Sequence, residues 1–412
     1  MKKFLSLLIL FFGCRSNIDS EAILKAHPRE TKIIESIDTF YKSYITKLKG
    51  KRVLLVTNPS GIGNNPERLI QSFKDNDIEI KSLLGLEHGF LGLEEDFSNS
   101  PVTLDPTFKI PIYHIYKLKS NELSHVLEDI DVILFSVQDM GMRCYTYLTV
   151  LKRILDEQTN SQELIILDSV NIGMEYSPRG NFMQKGLENF AGEFPLLFLT
   201  GLSLGESANY YNAEFLRASK KVTVIPVENY NRGTKFERTG IPWNTPSPNL
   251  PTLDSARNYL GLVLLEGINV SVGRGTQAPF IYFGAPWMNF AEEIKSELNE
   301  RTNDYYFQTV YFKPSFSKYK DQICKGLRLT VVNSAYDPIE MVYNLILSIK
   351  NKSKKNFQWN SGKQFTIDIL WGNDSFRKSI DSGVSYKEFA RTLAATEQKN
   401  KEKIEKYLIY KP

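Results

Sequence analysis

Three polar clusters in this chain carry residue types suited to work on a polyhydroxylated, acidic ligand. Glu87-His88-Gly89-Phe90-Leu91-Gly92 sets a carboxylate beside an imidazole, with Leu86 and Phe90 as apolar neighbours. A carboxyl group against apolar walls keeps its proton to higher pH and can act as a proton donor. The plainer reading is a loop acid paired with a nearby base. Gln138-Asp139-Met140-Gly141-Met142-Arg143 joins an amide, a carboxylate and a guanidinium. Such donors and acceptors in a fixed array suit sugar hydroxyls; the set reads equally as an Asp–Arg pair capping a helix near Tyr145. Ser271-Val272-Gly273-Arg274-Gly275-Thr276 is a glycine-rich loop with an arginine. Glycines let backbone N–H groups approach an anion, and Arg forks onto carboxylates; a tight turn with an exposed Arg fits as well. Ser60-Gly61-Ile62-Gly63 also invites a phosphate-binding reading, but the third glycine and distal acid of a dinucleotide fingerprint are missing.

The flanking pattern supplies elements to hold these clusters. Lys51–Asn58, Ile78–Leu84, Val132–Val137 and Leu164–Asp168 are short, β-rich apolar runs ending in polar residues, which predicts buried parallel strands. Helical patterns lie between them, at 66–74, from about 121, and at 147–157. Strands alternating with helices predict an α/β fold, a Rossmann-like parallel sheet with ligands at the carboxyl ends of its strands. Thr57-Asn58, Glu87-His88, Gln138-Asp139 and Asp168 fall at those ends. Pro242, Pro246, Pro248 and Pro251 force an extended crossing. Beyond it the pattern turns to a smaller α+β domain, with a strand at 326–332 and helices at 337–350 and 392–408. The expected division is 31–250 and 251–412.

The first residues predict an address. Met1-Lys2-Lys3 is a short positive region, and Phe4–Phe12 is an apolar run too short to span a bilayer. Gly13-Cys14 follows at once. Residues 1–13 therefore read as an export signal ending at a lipid-accepting Cys14, with 14–30 as a tether. The alternatives are an ordinary signal with a coincidental cysteine and an uncleaved anchor. Acyl chains on Cys14 hold a protein at a membrane when more than one is present, so the expected location is the cell envelope, outside the cytoplasm. Charge is nearly balanced, 51 basic against 47 acidic side chains, which argues against nucleic acid as a partner. Only Cys144 and Cys324 remain beyond Cys14, too few for a disulfide framework, although one bridge is open to them. Four scattered histidines give no zinc-ligand cluster.

The motifs also form an ordered series. It runs Leu55–Gly61, Glu87–Phe90, Gln138–Arg143 with Tyr145-Thr146-Tyr147, Gly201–Glu206, Ser247–Thr252, Glu266–Asn269, Gly273–Thr276, Pro279-Phe280 and Gly284–Trp287. This series resembles the exo-β-N-acetylmuramidase family of bacterial glycoside hydrolases, from about residue 33 onward. The resemblance implies a cleft between two domains, release of N-acetylmuramic acid from the non-reducing end of peptidoglycan fragments, and no metal or organic cofactor. It places the favoured catalytic glutamate at Glu87. Asp139 and Glu206 are candidates for the second carboxylate that glycoside cleavage usually needs; the sugar's own acetamido group is another route. Asn58, His88, Gln138, Arg143, Asn249, Asn269 and Arg274 are the expected substrate contacts, with Arg143 or Arg274 on the lactyl carboxylate. Five places depart from the family pattern: Leu91, Ser136, the block Asp168–Ile172, Thr200 and Val272. The rival reading is a degenerate lipoprotein that binds wall fragments without cutting them.

Overall fold

The computed structural model describes residues 32–411, apart from 62–65, 93–99, 120 and 334. The signal, the tether and Cys14 lie outside the described residues, as do Ile62 and Gly63. Seven strands form the larger sheet: β1 (Arg52–Thr57), β2 (Glu79–Gly85), β3 (Val102–Leu104), β4 (Pro111–His114), β5 (Val132–Ser136), β6 (Glu163–Leu167) and β7 (Lys221–Ile225). Their order is β3-β4-β2-β1-β5-β6-β7. Every pairing is parallel except β3 with β4.

Side chains alternate across the sheet, and β1 shows why it is buried on both faces. Leu54 and Val56 enter one hydrophobic cluster, whereas Val53 and Leu55 enter another with Phe40, Leu69 and Phe73. Helices on both sides explain the unbroken apolar runs of β1, β5 and β6. The strands expected at 51–58, 78–84, 132–137 and 164–168 are β1, β2, β5 and β6. The short edge strands β3 and β4 were not foreseen, because three or four residues carry little periodicity. Pro111 opens β4, a position where its missing N–H costs no ladder bond.

The second sheet is antiparallel, ordered β8 (Tyr282–Ala285), β10 (Cys324–Val331), β9 (Tyr305–Phe312). In β9 Tyr305 and Phe307 are buried while Tyr306 is exposed, the alternation of a half-buried strand. The helix Pro338–Lys352 covers this region. Its start is fixed by Asp337, whose carboxylate accepts from the N–H groups of Ile339 and Glu340, with Pro338 in the first turn. The last helix spans Tyr386–Ile404, beginning before the charged stretch that predicted it, because Ser385 and Glu388 form a capping box. One hydrophobic cluster runs from Leu54 and Ile133 of the large sheet to Phe283 and Leu327 of the small one. Cys144 and Cys324 are both free and buried.

Candidate active site

Strand β2 ends at Gly85, and the chain turns through Glu87 into a left-handed pair, His88 with φ 71° and Gly89 with φ 75°. The Gly89 N–H closes the turn on the Leu86 carbonyl at 3.0 Å. A histidine in this conformation is uncommon, and such strain concentrates at functional sites. The turn directs Glu87 and His88 into a cavity of about 140 Å³. Thr146 Oγ1 donates to Glu87 Oε2 at 2.8 Å. His88 Nε2 pairs with Ser247 Oγ at 3.0 Å, and Ser247 Oγ in turn accepts from the Asn249 N–H. The side-chain amide nitrogen of Asn249 is buried in the cavity wall with no acceptor among the described residues.

The far wall comes from residues 259–280. Tyr259 packs edge-on against both Tyr145 and Phe280, which makes an aromatic floor. Glu266 and Arg274 line the cavity together, and Arg274 Nε donates to Glu266 Oε1 at 2.8 Å. Burial works against the Arg274 charge, but neighbouring Glu266 offsets this and raises its pKa. The guanidinium lies 5.3 Å from the Phe280 ring centre, within cation–π range. The walls that sequence reading assigned to Glu87, Leu86 and Phe90, are instead buried in separate hydrophobic clusters.

The structure sorts the expected site residues into two groups. Glu87, His88, Asn249 and Arg274 share the cavity. Asn58 supports it from behind: its amide donates to the Tyr147 hydroxyl at 2.6 Å, and that hydroxyl donates to the Pro246 carbonyl, fixing the proline segment that carries Ser247 and Asn249. Arg143 is fully buried, and its Nη2 donates to the carbonyls of Leu370 and Trp371, so it clamps the wall at Leu370 rather than facing ligand. Burial pushes its pKa down to about 10. Gln138 holds the Asp139 and Val170 carbonyls at the ends of β5 and β6. Asn269 spends its amide on the backbone of Asn356 and Gln358.

The two other candidate carboxylates are also elsewhere. Asp139 is fully buried and accepts from the Gly141 N–H at 2.7 Å; burial raises its pKa to about 7. Glu206 is wholly enclosed. It completes a capping box with Ser203, and its carboxylate takes Arg232 Nη2 and the Ile409 N–H. Its acceptors are committed to architecture. The second carboxylate that does line the cavity is Glu266. Sequence reading quoted it in a motif but gave it no role. Among the described residues, none of the five departures lines the cavity. Ser136 and Thr200 donate to the backbone of Gly61 and Gly141 in the interior, Asp168 is buried, Val272 is buried, and Leu91 is an exposed loop residue.

Comparison with known proteins bears on these residues directly. Models of the exo-β-N-acetylmuramidase NamZ N-terminal and C-terminal regions match residues 53–254 and 257–410. The chain is 30% identical over 390 residues to the peptidoglycan β-N-acetylmuramidase NamZ of Bacillus subtilis, covering 93% of this chain and 92% of that one. Two DUF1343 family proteins of Bacteroides fragilis share the fold. One has a TM-score of 0.83 at 24% identity over 93% of this chain and 100% of that one; the other has 0.70 at 27% over 92% and 99%. With both family regions matched in order across the folded chain, the protein belongs to the NamZ family of exo-β-N-acetylmuramidases.

Proposed function

We propose that this protein is an exo-acting glycosidase that removes N-acetylmuramic acid from the non-reducing end of peptidoglycan fragments. The observation that carries the reading is the meeting of Glu87, Glu266, Arg274, His88 and Asn249 around one small cavity with an aromatic floor. The exo-acting mode rests on the family to which the chain belongs, whose models describe exo-β-N-acetylmuramidases. The NamZ relative of B. subtilis, a peptidoglycan β-N-acetylmuramidase, supports the substrate class.

In this reading Glu87 is the acid. It gives its proton to the glycosidic oxygen as the bond from that oxygen to the anomeric carbon breaks. A water oxygen then bonds to the anomeric carbon and passes its proton to the Glu87 carboxylate, which restores the acid. Thr146, bonded to one carboxylate oxygen, sets the rotamer and leaves the other oxygen for the substrate. The unsatisfied amide of Asn249 meets a sugar acceptor, which removes the cost of leaving it unpaired. The two Nη groups of Arg274 take the lactyl carboxylate as a fork. Lipidation at Cys14 and residence in the cell envelope belong to the same proposal and rest on the sequence Met1–Cys14.

The test is turnover of a chromogenic N-acetylmuramic acid β-glycoside by the full chain. Release of the chromophore by wild type and its loss in Glu87→Gln supports the assignment. Saturable binding without product in the wild type sinks it in favour of a non-cleaving binder. Loss of labelled-palmitate incorporation in Cys14→Ala checks the anchor.

A further inference from the structure

We propose that Glu266 is a positioning residue that aims Arg274 at a ligand carboxylate, so that this pair sets the cavity's preference for an acid-bearing pyranose. The inference rests on the reading of the cavity as a sugar site.

Glu266 and Glu87 line the same cavity but have different neighbours. Glu87 accepts from a neutral hydroxyl, Thr146. Glu266 accepts from a guanidinium, and through Nε rather than Nη. That choice matters. A bond at Nε fixes the guanidinium plane and leaves its Nη1–Nη2 edge for a second, forked partner. Among the described residues no hydrogen-bond acceptor takes that edge, and the plane lies over Phe280.

The loop behind the pair is held far more firmly than an ordinary ion pair requires. Lys318 Nζ donates to the carbonyls of Glu266, Ile268 and Val270 at 3.2, 2.7 and 3.3 Å. The Asn360 amide donates to the carbonyls of Glu266 and Ile268, both at 2.7 Å. The Asn360 N–H donates to Gly267. These bonds fix the backbone from which Glu266 projects. Lys318 is largely buried and sits beside both Glu266 and Arg274, where burial lowers its pKa to about 8. Two cations, Arg274 and Lys318, thus flank the Glu266 carboxylate, which holds the guanidinium at Nε without occupying its Nη edge.

The experiment measures binding of N-acetylmuramic acid and N-acetylglucosamine by calorimetry at neutral pH. The proteins are the full-length wild type, Glu266→Gln, Glu266→Ala and Arg274→Lys. Turnover of the chromogenic muramide is measured alongside. The wild type is expected to prefer the acid sugar. Glu266→Ala should weaken that preference about tenfold through Kd and KM, with kcat changed by less than about threefold. Glu266→Gln still accepts from Nε and should restore most of the preference. Arg274→Lys keeps the charge but loses the Nε bond and the fork, so it should behave like Glu266→Ala, and it carries the test where Glu266→Ala does not fold. A collapse of kcat in both Glu266 variants, with the binding preference intact, would make Glu266 a catalytic carboxylate and overturn the proposal. A wild type that turns over the muramide but binds both sugars equally overturns it too. A wild type that neither binds nor cleaves overturns the sugar-site reading itself.

Discussion

The ends of β1, β5 and β6 and the end of β2 belong to one sheet, yet they have opposite fates. Strand order reverses at β1, so the crevice between β1 and β5 is where an open α/β sheet ordinarily binds its ligand. Here that crevice is packed with the protein's own groups. Thr57 Oγ1 donates to the Ser136 carbonyl, Ser36 Oγ donates to the Asp168 carbonyl, and Tyr410 donates to the Asp168 carboxylate. Gly61 fits only because it lacks a side chain: a Cβ there would lie 1.8 Å from the Ser136 oxygen. The remaining space is about 30 Å³, room for little more than a water. Beyond β2, by contrast, the chain leaves an open cavity with two carboxylates and an arginine at its walls. Acidic residues occur in both regions. What separates them is whether open space lies in front of the acid: Asp139 keeps one oxygen without a donor among the described residues yet is sealed inside the fold, whereas Glu87 and Glu266 face the cavity.

That contrast makes graded predictions. The largest effect belongs to the open region. Glu87→Gln should lower kcat on the muramide by about 10²–10⁴-fold with no change in melting temperature. A variant that keeps turnover would show that the open region's acid is a bystander. Next comes the closed region. Arg232→Met leaves Glu206 buried and uncompensated, and urea unfolding should report a loss of about 3–5 kcal/mol while kcat of the folded protein stays within about twofold. A large fall in kcat at unchanged stability would blur the boundary between the regions.

The third prediction is a pH dependence. Burial raises Asp139 to about 7, so between its unfolded value near 4 and 7 the folded state binds the extra proton. Stability from this group is therefore full below about pH 4 and declines as pH rises towards 7. Relative to wild type, Asp139→Asn should gain stability over that window, by at most about 1.4 kcal/mol per pH unit. Parallel stability curves for the two proteins would refute it. The smallest effect is Tyr410→Phe, which removes one donor from Asp168 and the acceptor of the Val227 N–H and should cost about 1–3 kcal/mol in the same unfolding assay.

The same distinction explains what could be read from the sequence. The central strands were legible because a strand buried on both faces is an unbroken apolar run, as Val53–Val56 shows. The ordered motifs were legible as a family pattern, and Glu87 follows from them. Which acid faces open space was not legible. Asp139 and Glu87 both follow strands, but only the left-handed turn at His88-Gly89 swings its acid into a cavity, and spacing alone does not distinguish them. Glu206 did carry a signal. Ser203-Leu204-Gly205-Glu206 is the capping-box pattern, which commits the glutamate to a helix start. Glu266 carried none, because its value depends on Arg274 and on a lysine about fifty residues further along the chain.

The bond from Tyr410 to Asp168 joins residues 242 positions apart. In kinetic terms, the crevice at the sheet's carboxyl edge stays unsealed until Tyr410 has been delivered to it. Contacts of such long sequence separation form late, because the loop must close before they contribute. Losing Tyr410 and its neighbours would then act as a lesion in the interior. It would not behave as the trimming of a tail.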